Sequence, residues 1–169
     1  MLEISEHELA EAISAHWVWY HTGGAEGAVA QLERKFSGRQ LRKVFLPGAL
    51  LSGSNINGCE VRSANLKGAQ FLGVSMIRAN FRRALLQNTI LDGSAAVDAN
   101  FRWARMQGAS ARNCDFQNAN FAGANCAGVD FTGSNLAGAR FVGCDLRGAV
   151  LDDAITRGTI FENCVMDES

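Results

Sequence analysis

The chain has no apolar run that approaches the length needed to cross a bilayer. Its first residues carry Glu3, Glu6, Glu8 and Glu11, where a secretory leader carries bases. A cytoplasmic protein without a membrane partner is therefore expected. Histidine occurs three times, always ahead of Thr22 and far from the cysteines, so the sequence offers neither a metal-ligand spacing nor a nucleophile–base pair. The glycines return at intervals of five and form no phosphate-binding fingerprint. Proline occurs once, at Pro47, and a net charge of −1 gives no global field. The five cysteines fall in repeating positions, not in a disulfide framework. They are expected to serve as small buried hydrophobes in a reducing compartment. Together these absences argue against an enzyme: no catalytic residue, metal, cofactor or small-molecule substrate is expected.

What is present is a period. From Leu41 to Met166 a medium or large apolar residue returns every fifth position, as in Leu46, Leu51, Ile56, Val61, Leu66, Phe71 and Met76. Two residues ahead of each centre sits a small one, such as Ala49, Ser54, Cys59 or Ala64, and two residues after it sits, most often, Gly or Asn. Five fits neither the helical period nor the plain strand alternation. It fits a short extended piece followed by a corner. The small residue and the centre are two apart and point inward together, while Gly or Asn takes the left-handed backbone of a tight turn.

Phe81, Phe101, Phe121, Phe141 and Phe161 recur at intervals of twenty, and Arg42, Arg62, Arg82 and Arg102 share that interval on the outside. Columns of this kind predict four walls per coil. Adjacent coils should lie about 4.8 Å apart, as paired strands do. The expected fold class is an all-β solenoid, a parallel β-helix of square section. Ala96, Ala111 and Thr156 are weak centres where local under-packing is expected. No insertion interrupts the period after Leu41, so function must reside on the walls or at the ends.

Units such as Ala64-Asn65-Leu66-Lys67-Gly68, Ala119-Asn120-Phe121-Ala122-Gly123 and Ser134-Asn135-Leu136-Ala137-Gly138 resemble the repeat of pentapeptide-repeat proteins. The resemblance covers roughly four fifths of the chain. It implies a right-handed quadrilateral β-helix built of pentapeptide repeats, and it implies no single function.

Residues 1–35 read as an N-terminal α-helical cap and transition, and 36–169 as the β-helix, regular from about 41 to 166. Within 2–21, Ser5 and Glu8 form a capping box, and Leu9, Ile13, Trp17 and Tyr20 make an apolar stripe that Gly23 and Gly24 terminate. A solenoid needs its open end covered, and this helix is expected to be the lid. His16-x-x-Trp19 also resembles the cap of many pentapeptide-repeat proteins. His16 and His21 read as ordinary helix-surface residues. Leu32 precedes Phe36 by four positions, so the register slips once there, and Arg34 and Arg39 occupy slots that should be small. Pro47 reads as an outward residue at a coil edge.

Charge is laid out by region. Residues 1–35 carry six acids and two bases, 36–148 six acids and thirteen bases, and 149–169 five acids and one base. The bases concentrate in a candidate partner-binding face of Arg42, Arg62, Arg82, Arg83, Arg102, Trp103 and Arg105, with Lys43 beside it. Like charges about 5 Å apart repel by roughly 0.8 kcal/mol in water, and Glu60 should relieve part of this. Such a face suits an anionic partner, nucleic acid or acidic protein. At the other end Ile155, Ile160 and Val165 replace the usual Asn or Asp; with Phe161 and Met166 they form a candidate dimer end.

The expected function is a non-catalytic scaffold that binds another macromolecule, a protein partner foremost, through its faces. The family resemblance implies an alternative, a DNA-mimic modulator of DNA gyrase or topoisomerase IV conferring quinolone or toxin resistance. It implies end-to-end homodimers through the C-terminal coils as well. A structural module of a secretion or assembly system is a third reading.

Overall fold

The computed structural model describes residues 4–32 and 36–167. Every fifth residue from Gly38 to Asn163 has a positive φ, between 53° and 74°, so the chain turns a corner at each repeat. Four corners close one coil. Bridges between coils are parallel and join residues twenty apart, as in Gln40↔Glu60, Phe45↔Asn65, Leu50↔Gln70 and Asn55↔Ser75, one bridge for each wall. With two of five residues spent on a turn, a wall has room for little more than that single bridge. Among the described residues, only Arg140–Val142 (β1) and Ile160–Glu162 (β2) extend to three residues, paired in parallel with Phe141 opposite Phe161.

The inward slots fill the tube. From Phe36 to Leu146 each apolar centre in the described segment is buried, and the small residues two positions ahead of the centres are buried from Val44 to Cys144 and half-buried from Ala149 to Cys164. Phe81, Phe101, Phe121, Phe141 and Phe161 form one continuous stack, with centroids 5.1, 5.0, 4.6 and 5.2 Å apart. Phe116 and Phe131 meet that stack edge-on at 5.3 to 5.9 Å. Ala96 and Ala111 are fully buried as well, and the next inward residue in each column, Phe116 and Phe131, is an aromatic. Thr156 is exposed, with no described coil stacked on it.

The small slot also accepts hydroxyls and thiols, which donate to carbonyls of the preceding coil. Cys59 Sγ reaches Phe36 O at 2.9 Å, Ser94 Oγ reaches Phe71 O at 2.6 Å, and Cys144 Sγ reaches Phe121 O at 3.0 Å. Burial pushes the thiols of Cys59 and Cys144 up to about 11 and that of Cys114 up to about 12, so they remain protonated and unreactive.

The helix α1 spans Glu6–His21, with Ser5 as N-cap and the reciprocal Ser5–Glu8 capping box formed. Residues 2 and 3 lie outside the described segment. The helix docks on its own rod, and its contact stripe differs from the expected one. Leu9 and His16 are buried, Ile13 is half-buried, and Trp17 faces outward at 52% exposure. His16 takes the place assigned to Trp17, and it is no surface residue. The Ala30 N–H donates to His16 Nδ1 at 3.1 Å, so Nε2 carries the proton and donates to Pro47 O at 2.8 Å. Pro47, expected at an open edge, is buried beneath the helix.

Burial lowers the His16 pKa from 6.5, and the Pro47 carbonyl offsets this in part. A proton on Nδ1 would also evict the Ala30 N–H. The undocked cap therefore binds protons more readily than the docked one. Docking is expected to be at full strength above pH 6.5 and to weaken as pH falls below it. The checking measurement is hydrogen exchange at the Ala30 amide, which should lose protection on acidification in the wild type; a pH-independent protection would contradict the arrangement.

The rod becomes regular earlier than expected, at Phe36 and not near Leu41. Phe36 N and Gly38 N already bond to Asn55 O and Asn57 O in the offset used by every later coil. Gln31, by contrast, pairs with Leu50, one residue short of the usual twenty. The slip is thus a missing residue between Leu32 and Phe36. Arg34 lies outside the described residues. Arg39 sits in an inward slot, but no described repeat stacks ahead of it on its own wall, and its guanidinium donates to Ile4 O at 2.9 Å, with Glu6 at 3.4 Å.

Candidate partner-binding corner

Corners need a left-handed backbone, which costs an ordinary L-residue about 1 kcal/mol and glycine nothing. Most corners accordingly hold Gly, Asn or Asp. One column does not. Lys43, Ser63, Arg83 and Trp103 occupy the same corner on four successive coils, with φ of 58°, 58°, 60° and 55°. On the other three corners, Arg78 is the one described residue outside Gly, Asn and Asp. Backbone strain is therefore concentrated at a single edge of the rod, the edge that carries the basic residues.

The wall residues leading into that corner are Arg42, Arg62, Arg82 and Arg102. Their mutual repulsion is relieved in two ways. Glu60 sits 3.0 Å from Arg62 and 3.7 Å from Arg42. Further along, the Arg82 and Arg102 guanidiniums each lie 4.4 Å from the Trp103 ring centroid, with Arg83 at 5.6 Å. These are cation–π distances. The indole in turn rests on Gly123, where a Cβ would come within 2.5 Å of the ring. The absence of a side chain at Gly123 is what lets Trp103 lie flat and hold the two arginines. Their Nε–H groups are shielded from water and take no hydrogen bond among the described residues, so the ring is what positions them.

The sequence grouping thus resolves into parts. Arg42, Arg62, Arg82, Arg83, Arg102 and Trp103 stand together on one edge, whereas Arg105 is exposed on the following wall, in the column of Leu85 and Asn125. Ser63 is a member of this edge that composition does not announce. Its one signal in the sequence is a corner without Gly between two long basic side chains, Lys43 and Arg83. Over it lies a notch of about 320 Å³ lined by Arg42, Lys43, Arg62, Ser63, Arg82 and Arg83.

At the C-terminal end the outward slot changes character on all four walls in one coil. Asp130, Asn135, Arg140 and Asp145 are followed across the bridges by Val150, Ile155, Ile160 and Val165. Val150, Ile155, Val165 and Met166 are exposed, Ile155 by 55% and Val165 by 53%, while Ile160 and Phe161 are half-buried. The result is an apolar collar on the last described coil.

Among the described residues, no group of three His, Cys, Asp or Glu could hold a metal ion, and no helix is long and apolar enough to cross a membrane.

The chain is similar to several proteins of solved structure. HetL from the cyanobacterium Nostoc sp. strain PCC 7120, a pentapeptide-repeat protein involved in regulating heterocyst differentiation, is 19% identical over 80% of this chain and 77% of its own, with a TM-score of 0.37. QnrB1, a plasmid-mediated fluoroquinolone resistance protein, is 22% identical over 81% of this chain and 84% of its own, with a TM-score of 0.38. Rfr23, a pentapeptide-repeat protein from the cyanobacterium Cyanothece 51142, is 24% identical over 80% and 93%, with a TM-score of 0.37. No curated protein matches. The family model for a pentapeptide repeat region matches residues 64–141, and that for pentapeptide repeats, in eight copies, matches 35–68 and 130–167. Spanning all but the cap and its junction, these matches make the chain a member of the pentapeptide-repeat family.

Proposed function

We propose that the chain is a right-handed quadrilateral β-helix that works as a non-catalytic cytoplasmic scaffold, holding an anionic macromolecular partner along its basic corner. One observation carries this reading. Four successive left-handed corners hold Lys43, Ser63, Arg83 and Trp103, where glycine would relieve the strain at each. A fold indifferent to this edge gains nothing from that cost of roughly 4 kcal/mol in all.

An Arg62→Glu, Arg82→Glu double variant is the test. Both side chains are outward and only partly buried, so the rod should fold with its melting temperature nearly unchanged. Partners captured by the wild type from its own cytosol should be lost. Retention of every partner would reduce the corner to decoration.

The collar on the last described coil supports a second contact, with another copy of the chain. Apolar residues on all four walls of the last coil suit an end-to-end homodimer, and Val165→Asp is expected to halve the sedimenting mass. An unchanged mass would dismiss the dimer. The gyrase or topoisomerase IV reading, in which a rod imitates duplex DNA, calls for an acidic wall, and the wall with the clearest construction here is basic. A supercoiling assay with purified protein separates the two: the scaffold reading predicts no effect on gyrase.

A further inference from the structure

The notch over Ser63 differs from the remainder of the corner in being concave. It exists because Ser63 is short where its column neighbours Lys43 and Arg83 are long, and it brings residues of three coils to one opening. Its volume, about 320 Å³, reaches the lower end of the range for small-ligand sites, roughly 300 Å³. Five cationic side chains line or rim it, and the nearby carboxylate is that of Glu60.

We propose that this notch binds phosphoryl oxyanions, in the form of two or more linked phosphoryl groups. The inference rests on the reading of the basic corner as a binding surface and names the chemistry recognised there. Two features favour phosphoryl over carboxylate. The first is charge: Glu60 already lies against Arg62 and Arg42, and four further positive charges' worth of field is left, far more than one carboxylate neutralises. The second is direction. Arginine forks arrive from successive coils about 4.8 Å apart along the axis. A planar carboxylate presents its two oxygens to one fork, whereas a terminal phosphoryl group presents three oxygens in three directions, and successive phosphoryl groups within a chain present two each, so that forks on neighbouring coils can be engaged at once. Linked phosphoryl groups would continue the contact from the Arg42–Arg62 level toward Arg82 and Arg83. The clamp of Trp103 on Arg82 lowers the cost of ordering that side chain on binding.

Phosphoryl chains come from free polyphosphates or from a nucleic-acid backbone, and the experiment distinguishes them. Calorimetric titrations of the full chain at low salt would compare tripolyphosphate, a short single-stranded oligothymidylate and an oligoglutamate of matched charge. Ser63→Phe fills the notch with the charge unchanged, at a corner whose column already carries Trp103. Ser63→Gly keeps the notch and relieves the backbone. The expected result is that a phosphate probe binds more tightly than oligoglutamate, that Ser63→Phe weakens it about tenfold, and that Ser63→Gly stays within about twofold of wild type. The tighter of the two phosphate probes identifies the source. Equal affinity for Ser63→Phe and wild type would overturn the notch, as would oligoglutamate binding best. In the latter case the anionic-scaffold reading survives alone. Conversely, notch-dependent phosphate binding by a wild type whose macromolecular partners all stay with the Arg62→Glu, Arg82→Glu variant would uphold the notch and overturn the scaffold.

Discussion

Replacing Gly27 with alanine is expected to detach the N-terminal helix while leaving the rod folded. Gly27 has φ of +77°, and a Cβ there would lie 2.3 Å from Ala15 O and 2.7 Å from Trp19 N. Both are backbone atoms of α1, so no side-chain rotation can clear them. The adjoining Ala28 N–H bonds to the same Ala15 carbonyl, which ties the segment to the helix at the point of collision. Left-handed strain and overpacking together should cost roughly 3 kcal/mol of docking. Hydrogen exchange would show α1 and the Ala30 amide losing protection, with the coils beyond Phe36 unaffected. Gly23→Ala is the matched control. Its φ of +63° is similar but nothing lies within 4 Å, so only backbone strain of about 1 kcal/mol applies. Equal protection in the two variants would show that the helix does not rest on this contact.

The second large effect is expected inside the tube. Phe121 is fully buried, with parallel rings at 5.0 Å on one side and 4.6 Å on the other, and with Phe116 and Phe131 edge-on. Phe121→Ala removes the middle of the stack. The neighbouring rings are held in place by their own coils and can collapse little. A loss of about 4 kcal/mol is expected, read as a lower urea midpoint. This is a large share of the roughly 5 to 15 kcal/mol that holds a typical domain together. A loss under about 1 kcal/mol would mean that the stack is loosely packed after all.

The inside of this molecule is legible in its sequence because one rule repeats without interruption. A residue such as Leu66 or Phe131 has its orientation set by position in the period, and each further repeat confirms the last. The cap has no such redundancy. A face traced through apolar residues alone omits His16, although a histidine with a backbone donor and a backbone acceptor is well served in a buried site. Trp17 is apolar and nevertheless points away, stacked on His21 at 4.0 Å. The burial of Pro47 depends on where the helix comes to rest, and local sequence holds no trace of that. At the basic corner, composition reveals the arginines. The strain at Lys43, Ser63, Arg83 and Trp103 stays hidden, because a turn rule stated as Gly or Asn does not say what happens when neither is present.

Since one five-residue step makes one wall, chain length also acts as a rotational setting. Adding a single step between Gly73 and Ala79 would swing everything downstream by a quarter turn, carrying Arg82 and Arg102 onto a different face from Arg42 and Arg62. The interior would hardly register the change, because each displaced centre would still point at the axis. Only a change of four steps would return the arginines to a common line. Exterior pattern and interior packing are therefore uncoupled in this architecture, and duplication or loss of single steps can redraw one while sparing the other.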